Sequence, residues 1–137
     1  MHVQPYLFFE GRCDEALAFY REALGAEVTA LMRYKEAPDP PPEGACGAAT
    51  GEHVMHATLK VGASEVHCSD GMASGATQFR GFSLTLVAAD EAEARKRFDA
   101  LARDGSVEMP LGPTFFSPCF GMLADRFGVG WMVIVLA

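Results

Sequence analysis

The segment FEGRCDEALAFYREALGAEV, residues 9 to 28, limits what this chain can fold into more than any other stretch. An apolar run ends at Glu10, Gly11 and Arg12. Asp14 and Glu15 then place negative charge in a first helical turn, Leu17, Tyr20 and Leu24 recur at helical spacing, and Gly25 can take the left-handed conformation that stops a helix. A strand resumes over residues 26–34. The same order returns at residues 79–88, where a strand leads into Asp90 as a helix cap. The helix that follows carries Glu91–Arg95, Glu93–Arg97 and Asp99–Arg103 at i,i+4 spacing, with Gly105 as its stop.

Further strands are predicted over HVMHATLKV and SEVHCSD, joined at Gly62 and Ala63, and over residues 107–111, 120–124 and 131–136. Residues 35–52 are too rich in Pro and Gly for a regular element and read as a mobile loop, a candidate lid or subunit contact. The predicted fold class is α+β: two βαβββ modules forming a cupped mixed sheet, one domain over 1–137. Module one spans 1–70, a linker 71–78 and module two 79–137. A half-sheet covered by one helix leaves a face exposed, and a second copy can close it into a cleft.

A net charge of −7 argues against nucleic acid and anionic membrane as partners. No apolar run reaches the roughly 20 residues of a membrane helix, and MHVQPYLFFEGR lacks the form of a signal peptide, so a cytoplasmic location is expected. Cys13, Cys46, Cys68 and Cys119 lack CxxC spacing, which suits reduced thiols, with Cys119 a small buried filler.

PYLFFEGRCDEALAFYREALGAEV, VMHATLKVG, Ser69–Asp70, GFSLTL and TFFSPCFGMLADRFGVGWMV, in that order, resemble the PhnB-like group of the vicinal-oxygen-chelate superfamily, the glyoxalase and bleomycin-resistance fold. The resemblance implies paired βαβββ modules, frequent homodimers and, in many members, one divalent metal acting as a Lewis acid. The group is also described as a demethylubiquinone methyltransferase domain. A conventional methyl transfer is not expected, because no glycine-rich loop at a strand-to-helix junction is present to hold S-adenosylmethionine.

Counted against the family pattern, the four metal-ligand positions fall at Pro5 (Gln4 or Tyr6 if the register slips by one), His67, Phe82 and Met132. One donor in four does not hold a metal, so no cofactor is expected. Strand alternation places Leu7, Phe9, Phe82, Leu84, Leu86, Met132 and Ile134 on an apolar ligand-facing side, with His67 as the main polar group and candidate base. Phe115, Phe116 and Phe120 form an aromatic rim that can stack on a flat ligand or meet a partner. The other motifs read as structural: Asp70 capping its own SDG turn, Trp131 on the helix side, His56 bonded to a neighbouring carbonyl, and His2 frayed at the terminus.

The expected function is a PhnB-like protein, homodimeric, that binds a small, mostly apolar molecule with the ancestral metal site lost; whether it catalyses stays open. The first alternative is a metal-dependent lyase or dioxygenase using one divalent ion, its ligands misregistered as Gln4, His56, His67 and Glu65. The second is a non-catalytic dimerising or drug-sequestering protein.

Overall fold

The computed structural model describes residues 1–39, 41–42 and 44–137. The chain forms two compact units, Met1–Thr77 and Gln78–Ala137. Unit one contains β1 (Tyr6–Phe8), α1 (Cys13–Leu24), β2 (Glu27–Arg33), a short 3-10 turn (Tyr34–Glu36), β3 (Val54–Val61) and β4 (Ser64–Ser69). Unit two contains β5 (Leu84–Ala88), α2 (Glu91–Ala102), β6 (Ser106–Gly112), β7 (Cys119–Ala124) and β8 (Gly130–Val135). Each unit is a four-stranded mixed sheet, in the orders β1-β4-β3-β2 and β5-β8-β7-β6. The first strand runs parallel to the last, and the other neighbours are antiparallel. The expected repeat of βαβββ is therefore present.

Both helices start and stop where local chemistry requires. Gly25 takes φ 64° and closes α1, a conformation that costs an L side chain about 1 kcal/mol. Asp90 accepts a hydrogen bond from the Glu93 N–H at 2.8 Å and so caps α2. The stop of α2 differs from expectation. Asp104, at φ 60°, makes the left-handed turn, while Gly105 sits where the Ala124 carbonyl leaves no room for a Cβ.

Two strands are shorter than their sequences suggest. Residues 3–5 and 79–83, which include the polar Gln4, Arg80 and Ser83, lie outside β1 and β5, whose parallel partners β4 and β8 register with only three and five residues. In unit one, α1 packs Cys13, Ala16, Leu17 and Tyr20 inward, with Cys13 Sγ 3.7 Å from Cys68 Sγ on β4. In unit two, a Cβ on Gly121 of β7 would meet the ring of Phe98 on α2, which fixes the helix-covered face as the one carrying Gly121 and its partner Val133.

Within the 35–52 segment the described residues are tied down at several points. Tyr34 N–H bonds to His53 O at 3.1 Å, Lys35 N–H to Gly51 O at 3.0 Å, and Ala48 N–H to Met72 O at 3.0 Å. Residues 40 and 43, at the centre of the proposed lid, lie outside the described residues.

Candidate functional site

The strand register decides which side chains stand on the uncovered faces, and it moves several expected pocket residues into the core. Leu7 pairs with Cys68, so both turn toward α1, where Leu7 is 3% exposed. Phe9 follows on the same side, 1% exposed, with its ring 6.1 Å from Tyr20 of α1. Leu84 and Leu86 pair with Trp131 and Val133, on the α2-covered face. Phe82 precedes β5 and is half exposed against Phe79. The ligand-facing assignment of Leu7, Phe9, Leu84 and Leu86 is thus corrected: in all-apolar strands every position looks equally core-like, and only cross-strand pairing picks the face.

Met132 and Ile134 do turn away from α2, beside Thr85 and Val87 on one flank and Met122 and Phe120 on the other. That face is apolar. Phe115, Phe116 and Phe120 make a chain of edge-on ring contacts at 5.1 and 5.0 Å, running from fully exposed Phe115 to buried Phe120.

The corresponding face of unit one is different, because it carries a continuous line of polar side chains. Tyr6 pairs with His67 and His67 with Thr58, so the three share the face turned away from α1, and His56 joins them two residues before Thr58. Tyr6 Oη lies 3.1 Å from His56 Nδ1, His56 Nε2 3.3 Å from Thr58 Oγ1, and Thr58 Oγ1 3.2 Å from His67 Nδ1. His67 Nε2 then lies 2.7 Å from Gln4 Oε1, and Gln4 Nε2 donates to Glu65 Oε2 at 3.4 Å. Six side chains from β1, β3, β4 and the preceding residue 4 are connected end to end. The rings stack loosely, with Tyr6 6.2 Å from His67 and His56 5.3 Å from His67. Phe8, half exposed, adds an apolar wall 5.0 Å from Tyr6.

Electrostatics keep this line neutral at its centre. Burial, and then the neighbouring His67, hold His56 below the ordinary histidine value of 6.5. Burial raises the Tyr6 phenol above its ordinary 10.0, with the Ser69 hydroxyl opposing. His56 therefore bonds to side chains, Tyr6 and Thr58, rather than to the backbone carbonyl expected of it. Thr58 was not singled out by sequence, and Tyr6 only as the metal position reached if the register slips by one; the period-2 spacing of His56 with Thr58 and of Glu65 with His67 was the available signal.

The parallel pairing also shifts the expected metal positions. Tyr6, not Pro5, stands beside His67, while Pro5 offers its carbonyl to the His67 N–H at 3.0 Å. In unit two Thr85, not Phe82, stands beside Met132. The misregistered set Gln4, His56, His67 and Glu65 does come together, but as hydrogen-bond partners of one another. Both ring nitrogens of His67 are engaged, Glu65 Oε2 lies 4.0 Å from His67 Nε2, and among the described residues no three His, Cys, Asp or Glu side chains converge as a metal site. Spent on one another in this way, these donors do not fit a divalent ion.

Asp70 does not cap its own turn. Its carboxylate, 2% exposed, accepts from Cys13 N–H at 2.8 Å and Val54 N–H at 2.6 Å, joining the start of α1, β3 and the end of β4. Asp125 does the same in unit two, taking Phe127 N–H, Val129 N–H and the Trp131 indole N–H at 2.9, 3.1 and 2.9 Å. Trp131 is on the helix side, as expected, and 6% exposed. Hydrogen bonding to Cys68, and then burial, push the Cys13 thiol far up. Cys119 is buried. A separate hollow of about 250 Å³ is lined by Tyr34, Pro41, Pro42, Cys46, Ala49 and Thr50, where the bond to Cys46 raises Tyr34 to about 12.

Residues 1–134 match the family model described as 3-demethylubiquinone-9 3-methyltransferase. Protein YjdN of Escherichia coli K12 is 35% identical, over 99% of this chain and 96% of its own. The structure of PA1353 from Pseudomonas aeruginosa is 39% identical at TM-score 0.83, covering 99% of this chain and 98% of that one. The PhnB protein of Bacillus cereus is 31% identical at TM-score 0.79, covering 98% and 99%. At the level of fold alone, a glyoxylase/bleomycin resistance protein/dioxygenase domain from Frankia aligns at TM-score 0.66 and 12% identity, over 99% and 95%. From one end to nearly the other, then, this chain belongs to the 3-demethylubiquinone-9 3-methyltransferase family, a PhnB-like branch of the glyoxalase fold.

Proposed function

We propose that this protein binds a small organic molecule against the face of the first sheet turned away from α1, and that any chemistry there is acid–base chemistry without a divalent metal. The observation that carries this reading is the connected line Tyr6–His56–Thr58–His67–Gln4–Glu65 on a partly exposed surface, flanked by the apolar ring of Phe8. Polar side chains linked in this way need more than folding to explain them, since an apolar strand face stabilises a sheet at lower cost. His67 remains the candidate base, acting through Thr58 and His56 rather than alone.

The methyl transfer in the family's description does not suit this chain. The helix N-termini, where a phosphate or carboxylate of a nucleoside cofactor would sit, already hold the protein's own carboxylates: Asp70 on Cys13 N–H at α1 and Asp90 on Glu93 N–H at α2. A cytoplasmic, homodimeric protein is the setting we infer. Exposed Met109 on edge strand β6, with Phe115 and Phe116, supports pairing with a second copy.

Isothermal titration of the full chain and of His67→Ala against aromatic and dicarbonyl compounds tests the reading. Heat that is lost in the variant supports it, and background heat across the whole panel refutes it. Elemental analysis of protein purified without chelator tests the metal clause. Stoichiometric Ni, Zn, Mn or Fe, removed by His67→Ala, contradicts it.

A further inference from the structure

We infer that the hydrogen-bonded line on the first sheet has a fixed direction, set by Glu65, that leaves the Tyr6 oxygen facing its ligand as an acceptor. The site therefore selects a flat hydroxylic hydrogen-bond donor, a phenol or an enol, over the matching ether or ketone. This inference rests on the ligand-binding reading above and names its substrate class.

The direction follows from donor and acceptor chemistry. Glu65 is a carboxylate and only accepts, so the group that Gln4 points at it is the amide NH₂, 3.4 Å away. That turns the Gln4 carbonyl to His67 Nε2 at 2.7 Å, and Nε2 must carry a proton. A neutral His67 then has a bare Nδ1, which takes the Thr58 hydroxyl proton at 3.2 Å. Having given its one proton, Thr58 accepts from His56 Nε2–H at 3.3 Å, and the bare Nδ1 of His56 takes the Tyr6 proton at 3.1 Å.

Each link leaves one choice for the next, so both imidazoles are Nε2–H tautomers. The reverse direction would aim the Gln4 carbonyl at the Glu65 carboxylate and bare His67 Nε2 toward the Glu65 oxygen 4.0 Å away, two repulsive contacts. The other group within reach of the Tyr6 hydroxyl, the Met55 carbonyl at 3.5 Å, also only accepts. Ser69, beside the phenol and taking the Gly71 N–H at 3.1 Å, can donate to Tyr6 without altering the direction.

With its proton committed inward and one lone pair within reach of the Ser69 hydroxyl, the Tyr6 oxygen offers its other lone pair outward. Tyr6 is 40% exposed and its ring lies 5.0 Å from that of Phe8, so a flat ligand can stack on Phe8 while donating to Tyr6. A ligand presenting an ether or carbonyl oxygen would set lone pair against lone pair.

Titration calorimetry with phenol and anisole as the probes tests this on the full chain, at a pH where the histidines are neutral. Phenol should bind about tenfold more tightly than anisole, the cost of one polar group left facing another of its own kind. Thr58→Val, which keeps the volume and interrupts the line, and Glu65→Gln, which can donate or accept and so frees the direction, should each bring the two affinities close to parity. Long-range ¹H–¹⁵N NMR of ligand-free protein should show His56 and His67 both protonated at Nε2. Equal binding of phenol and anisole by the native chain, or either histidine protonated at Nδ1, overturns the inference and leaves the ligand-binding reading standing. Binding of neither probe overturns the inference, and background heat across the wider aromatic and dicarbonyl panel removes the ligand-binding reading as well.

Discussion

Asp70 ties together three distant parts of unit one. Its two oxygens satisfy the buried N–H groups of Cys13 and Val54, at sequence separations of 57 and 16. Asp70→Ala should lower the unfolding free energy by roughly 2–4 kcal/mol, since two buried donors lose their acceptor; urea denaturation measures it, and a loss below about 1 kcal/mol would show that water replaces the carboxylate. The SDG turn made a local cap the natural expectation, because nothing in a sequence shows which distant N–H groups a carboxylate will meet. His56 gives a pH signature. Its folded value lies below 6.5, so the neutral form is favoured on folding. The stability this adds is complete above pH 6.5 and fades as the pH falls through the lowered value. His56→Gln should flatten the stability profile in that window, and an unchanged profile would assign the acid sensitivity elsewhere.

At the scale of elements, the strands, helices and the left-handed stop at Gly25 were legible because each is written in local spacing and capping. The faces were not. In YLFF and LTLVA both sides are apolar or nearly so, and only pairing with β4 and β8 shows that Leu7 and Leu84 turn to the helices. The polar line was half legible, since His56 with Thr58 and Glu65 with His67 share a face by alternation. That the two pairs meet, and meet Tyr6, depends on the β3–β4 and β1–β4 registers. Packing of α2 on its sheet makes a paired prediction. Gly121→Ala drives a Cβ into the Phe98 ring and the Leu111 backbone, whereas Gly112→Ala meets open space. The first should cost about 1–3 kcal/mol and the second much less, as read by thermal or urea unfolding; equal losses would mean that α2 shifts freely.

Across the whole molecule, one topology is used twice with different linings. Thr85, Val87, Met122, Met132 and Ile134 make the uncovered face of unit two apolar, where unit one carries its six linked polar groups. The repeat was readable from the doubled strand–helix–strand order, and the division of labour was not, because it depends on which alternate residues are exposed. The proposed pairing through the β6 edge makes Met109→Lys the informative change. Sedimentation equilibrium should give a dimer for the native chain and a weakened one for the variant, and a native monomer would contradict the pairing.

Contact between ligand and protein at Tyr6 is read most directly by a ¹H–¹⁵N chemical-shift map of the full chain titrated with phenol. The largest changes should fall on residues 6–8, 56–58 and 65–69, with the His56 and His67 ring nitrogens moving together. Changes confined to the hollow around Tyr34 and Cys46, or to the apolar face of unit two, would place the ligand elsewhere and contradict the account.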